Sequence, residues 1–309
     1  MPDFLPRHSL SKDFMDQNNP IVEKIQGFID RMPSLSTTVT KVLEVCNSPN
    51  TSANDLNRVI SLDPVLTGHV LKLINSAYYS LPNQITSLAR AIIMLGLNTV
   101  KNLALSTAVV GALAKKASFA SLPMDAFWAH SICVGVTAKA MAMARGVSPS
   151  AREEYFVAGM LHDLGKIPLN TCFAEAYAQA LQLAALEQGP LLRAEGLVVG
   201  IDHGLAGRLI GDKWRLGEGI IAALALHHAP EQAAEEHREL VTTVALANLY
   251  ANIYEIGSAG DRYPDSVFLL NTLNALGLQW SDLQPLHEVV QTEIDKAQVF
   301  LNITEKERR

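Results

Sequence analysis

From residue 20 onward the apolar residues recur at helical spacing, and no stretch alternates strictly with β-branched enrichment. A chain patterned this way has no face from which to build a sheet. It must bury helix against helix, so the expected fold class is all-α. The punctuation agrees. Ile21–Met32 carries apolar residues at 21, 25, 28 and 29 and stops before Pro33. A second helix is expected over Thr37–Cys46. Ser52 and Asp55 make a capping box for a helix reaching Ile60. Asp63-Pro64 supplies an N-cap followed by a proline at the first helical position, opening a helix over 65–76. Ser87 caps 88–95, and Gly96 suits the residue that ends it; another helix then runs from Asn98 to about Leu113.

These helices define an expected N-terminal module at 20–115, after a flexible leader at 1–19. The boundary falls in the lysine-, serine- and proline-bearing stretch that ends at Pro123. Residues 116–309 form a second helical part, with helices expected at 124–145, 150–163, 173–188, 191–199, 203–214, 217–228, 239–256 and 283–301. Segment 257–266 (GSAGDRYPDS) reads as a glycine/proline loop. No fixed-period repeat is visible.

Composition narrows the function classes. The net charge of −6, from 25 basic and 31 acidic residues, lacks the basic field of a nucleic-acid binder, so a nucleic-acid partner is not expected. The longest apolar run, 219–226, falls far short of the roughly 20 residues of a membrane span. The N-terminus has no apolar signal core. Cys46, Cys133 and Cys172 are isolated in apolar stretches and read as buried thiols of a reducing compartment. A cytoplasmic protein is expected.

Chemistry concentrates in the histidines of the second half. His130, His162, His203, His227 and His228 fall on four expected helices, each among apolar or small neighbours (FWAHSIC, GMLHDLGK, IDHGLAG, LALHHAP). Histidines so placed face an interior, where an unpaired ring costs roughly 1–3 kcal/mol. Side chains converging from separate helices build a rigid site in a bundle core. Imidazoles with the Asp163 carboxylate suit iron, manganese, zinc or nickel, and a carboxylate can bridge two ions. Gly165 permits a sharp turn behind Asp163. Lys166 lies one turn on if the helix continues, in reach of a substrate phosphate, or else it is a solvated lysine. His69 reads as packing, and His8, His237 and His287 as exposed.

At this point the chain resembles a known superfamily. The order His130, His162-Asp163, His203, His227-His228 is similar to the HD superfamily of metal-dependent phosphohydrolases, and GMLHDLGKIPL to its HD-GYP branch. The first half, with ISLDPVLTGHVLKLINSAYY and AIIMLGL, resembles the HDOD domain, over about residues 20–230 in all. That resemblance implies a bacterial signalling output acting through a partner protein, its two helical parts packed as one HDOD unit. It implies metal ligands at His162, Asp163, His203, His227 and His228, with His130 a ligand or nearby support, holding one or two divalent ions. Asp163 and Lys166 become the catalytic candidates toward a nucleotide or phosphate ester. Two departures stand out. Asn248, in VTTVALANLYANI, occupies the place of the family's last aspartate, as a weak or indirect contact. The GYP loop is missing from the 20-residue step (248 − 228) from His228 to Asn248. Contact signalling with a retained metal site is therefore expected, with phosphohydrolysis as the alternative.

Overall fold

The computed structural model describes residues 20–297 except 33–34, 47, 49–50, 77, 80 and 115–120, and for 111–114 the backbone alone. Its regular structure is helical: α1 (Pro20–Arg31), α2 (Thr37–Cys46), α3 (Ala53–Ile60), α4 (Pro64–Ile74), α5 (Leu88–Leu95), α6 (Leu97–Ala114), α7 (Met124–Ala144) and α8 (Pro149–Leu161). Then come α9 (Lys166–Cys172), α10 (Ala174–Glu187), α11 (Leu191–Val198), α12 (His203–Lys213), α13 (Glu218–Leu226), α14 (Glu235–Ile253), α15 (Ser266–Leu276) and α16 (Leu286–Ala297). No strand occurs among the described residues. No single described helix is long and apolar enough to cross a membrane.

The expected caps form. The Ser52 side chain accepts from the Asp55 amide and the Asp55 carboxylate accepts from the Ser52 amide. Asp63 accepts from the Leu66 amide at 2.9 Å, and Ser87 accepts from the Arg90 amide. Gly96 ends α5 at φ +87°, a conformation that only glycine adopts without strain. Helices α2 to α6 pack on one another, and α6 continues against α8 of the second half. α1, which the sequence groups with the first module, packs instead on α9 and α12. Lys213 holds it there by donating to the carbonyls at its C-terminal end, Asp30 at 2.8 Å and Met32 at 3.2 Å among them. One hydrophobic core runs through both halves.

A polar cluster ties the same seam. Tyr79 donates to Glu153 Oε2 at 3.1 Å, and Lys139 bonds Glu153 and donates to the Tyr78 hydroxyl at 3.1 Å. Lys139 and Glu153 lie on α7 and α8, which form the centre of the second half. The two helices cross where Gly135 meets Gly159. A Cβ on Gly159 would sit 2.9 Å from the Gly135 Cα, so the backbones touch and no side chain fits between them.

Two helices depart from the sequence reading. α9 starts at Lys166, directly before Ile167-Pro168, because a proline in the first turn forfeits only an amide that has no helical partner. α15 fills residues given no helix. Asp265 caps it by accepting from the amides of Val267 and Phe268, and Gly277 closes it at φ +65°. His287 is not exposed as expected: its ring accepts or donates at 2.7 Å to the Tyr250 hydroxyl and packs on Tyr254. His237 is half-buried, 3.7 Å from Glu218. His8 and the last residues of the helix expected at 283–301 lie outside the described residues.

Candidate metal centre

Four helix ends or faces deliver the five histidines to one place. His130 comes from α7 and His162 follows α8. His203 opens α12, and His227 and His228 follow α13. Close backbone approach makes this possible. A Cβ on Gly165 would lie 1.8 Å from the His203 carbonyl oxygen. Gly165 itself has φ −62°, so close helix approach requires the glycine here, and the expected sharp turn does not. On α12, Gly204, Gly207 and Gly211 let α13 lie against the helix, which brings His203 beside His227.

The rings are held with known polarity. His162 Nδ1 lies 2.7 Å from the Gly159 carbonyl and His227 Nδ1 lies 2.9 Å from the Ala223 carbonyl. A carbonyl only accepts, so each Nδ1 carries the proton and each Nε2 is turned inward, toward Asp163. Glu195 Oε2 accepts from both the amide (2.9 Å) and Nδ1 (2.6 Å) of His203, fixing that ring likewise. His203 Nε2 then stands 3.2 Å from His227 Nε2 and 3.1 Å from His228 Nε2. Asp163 lies between the groups. Its Oδ1 is 3.4 Å from His203 and 3.7 Å from His227, and its Oδ2 is 3.2 Å from His162 and 3.8 Å from His130.

Lys166, Asp163, His162 and His203 are fully buried, and His130 and His227 nearly so; only His228 is partly exposed. Burial pushes His130 and His228 down to about 3 and His227 well below its ordinary value, neighbouring imidazoles adding to each. For His203 burial opposes the charge, but the charge and hydrogen bond of Glu195 together with Asp163 outweigh it and the pKa rises. Burial would raise Asp163, yet His162 and Lys166 hold it well below the carboxylate range.

Two residues in the site were not singled out by the sequence reading. Glu195 sits on α11 with no local sign of burial. Asp261 lies in the glycine/proline loop, where its Oδ2 accepts from Lys166 at 3.1 Å and its Oδ1 from the Leu191 amide at 3.0 Å. Positive φ at Gly257 and Gly260 folds that loop inward. Lys166 therefore bridges Asp163 (2.8 Å) and Asp261 and is not a solvated lysine. Asn248 meets His130: its Oδ1 accepts from His130 Nε2 at 3.0 Å and from Asn252 at 3.2 Å.

The donor set fits a transition metal. His162 Nε2 and Asp163 Oδ1 are buried without a hydrogen-bond partner, and two groups of ligating atoms gather, His203/His227/His228 and His130/His162/Asp163. One proton can relieve the facing lone pairs of His203 and His227. A cation relieves all three rings and Asp163 together. Glu218, Glu236 and His237 form another such group, at the surface.

The HDOD domain family matches residues 32–230. An uncharacterized protein from Treponema pallidum (strain Nichols) is 24% identical over 91% of this chain, and the chain spans about half (54%) of that relative's length. An HDOD domain protein of unknown function from Geobacter sulfurreducens superposes with a TM-score of 0.70 at 25% identity, covering 90% of this chain and 97% of the other. A candidate phosphohydrolase from Shewanella amazonensis gives a TM-score of 0.67 at 22% identity, covering 91% and 98%.

Proposed function

Because the chain belongs to the HDOD family, a relative of the HD superfamily, we propose that it is a signal-transduction module whose buried histidine centre holds a divalent transition metal. In this reading it acts through contacts with a partner protein. One observation supports it most: imidazole nitrogens fixed by outer hydrogen bonds converge on Asp163 inside a fully buried core. His203, His227, His228, His162 and Asp163 supply the candidate ligands. When bound, the ion supplies Lewis acidity and a fixed geometry for the helix ends it joins. Glu195 and the carbonyls of Gly159 and Ala223 orient the rings. Lys166 balances the charges of Asp163 and Asp261, which take two of its three N–H donors, and it is buried away from any phosphate in solvent. Enclosure favours a structural or regulatory ion over turnover.

A phosphohydrolase is the second reading, favoured by the partly exposed His228 beside His203 and by the likeness to the Shewanella protein. Assays of metal-loaded protein on p-nitrophenyl phosphate and its bis-ester separate the two. Contact signalling predicts no turnover above that of Asp163→Ala. Metal-dependent release abolished by Asp163→Ala would establish the second reading instead.

A further inference from the structure

We infer that the centre takes a single transition-metal ion among His203, His227, His228 and Asp163 Oδ1, and that the Lys166 ammonium stands where a second ion would sit. This rests on the metal-centre reading and assigns its stoichiometry and place. Four of the six edges of the first half-site, 3.1, 3.2, 3.4 and 3.7 Å, bracket the ligand–ligand edge of about 3.4 Å expected for tetrahedral bonds of about 2.1 Å. Its rings are also braced from behind, His203 by a carboxylate and His227 by a carbonyl. That brace adds negative charge and fixes the lone pairs inward.

The other half-site is built against a cation. Asn248 brings no charge. Its Oδ1 already accepts from Asn252, so it stays an acceptor and His130 turns an Nε2 proton, not a lone pair, to it. Asp163 Oδ2 is occupied by Lys166 at 2.8 Å, and Asp261 secures the ammonium from the far side at 3.1 Å. The positive charge that a second ion would supply to Oδ2 is thus covalently built in, and it repels a dication.

The test is titration of metal-free full-length protein with Co²⁺, following visible absorption and bound metal. Wild type should saturate at one equivalent. His228→Ala should lose more than about 100-fold in affinity, beyond the 10–100-fold typical of losing a partner behind a ligand. His130→Ala should keep one equivalent. Lys166→Met combined with Asn248→Asp should take two. Should that pair fail to fold, nitrogen NMR of loaded wild type answers the same question, because His130 keeps its Nε2 proton. Two equivalents in wild type, loss of cobalt in His130→Ala with retention in His228→Ala, one equivalent in the folded double variant, or a deprotonated His130 Nε2 would overturn the inference while leaving the metal centre standing. No cobalt in wild type would remove both.

Discussion

Gly165→Ala should disable the centre without touching a ligand. Its φ of −62° is open to alanine, so the cost is purely one of space. The new Cβ would lie 1.8 Å from the His203 carbonyl oxygen and 2.6 Å from the Gly207 amide, against an ordinary contact of 3.4 Å or more. The shortfall is 1.6 Å (3.4 − 1.8), and α12 must retreat by about that much because both obstacles are backbone. Metal ligation tolerates about 0.2 Å. His203 would leave its place beside His227, and Co²⁺ affinity should fall by several orders of magnitude. Overpacking of this kind costs about 3 kcal/mol, at or above the upper end of the usual range, lowering the melting temperature by about 6–12 °C in a chain this size. Gly196→Ala on α11 is the matched control. It meets nothing within 4 Å, and should stabilise by about 0.5–1 kcal/mol. Thermal melts and cobalt titrations of both variants decide the point. A Gly165→Ala protein that melts within 2 °C of wild type and still binds cobalt would refute the close-approach argument.

Acid should unfold the metal-free protein early. His130 and His228 are pushed down to about 3 and His227 well below its ordinary 6.5, so the unfolded chain binds more protons below pH 6.5. Their contribution is complete above that value and is lost as pH falls, at up to about 1.4 kcal/mol per unit for each ring. His203 runs the opposite way but is one ring against three. Metal should move the acid transition downward in a circular-dichroism titration; a transition unchanged by metal would count against the site. Glu195→Gln should weaken metal binding about 10–100-fold while the fold survives, read by competition with a chelating dye. Glu153→Ala strips Lys139 and Tyr79 of their acceptor at the seam and should cost about 2–4 kcal/mol. Its metal affinity should stay unchanged, since the centre lies at the other ends of α7 and α8.

Much of this architecture was legible because the signals were local. Ser52, Asp63 and Ser87 announce helix starts by chemistry that acts within four residues. The five histidines announced themselves by apolar surroundings that a solvated ring would not share. What escaped depends on packing. Glu195, in LLRAEGLV, looks like any surface glutamate, and only the approach of α11 to α12 puts it under His203. Asp261 was read as loop, and its burial follows from the inward fold at Gly257 and Gly260. The role of Lys166 could not be settled from spacing, because the carboxylate on its far side comes from 95 residues away. Asn248 bonds His130 across α7 and α14, a pairing 118 residues apart that spacing alone does not show.

The most direct test of the centre is elemental analysis by plasma mass spectrometry of protein purified without added metal, with Asp163→Ala prepared in parallel. The account predicts about one equivalent of iron, manganese, zinc or nickel in wild type and background levels in the variant. A wild type that stays metal-free after soaking in each of these ions, or a variant that holds as much metal as wild type, would contradict it.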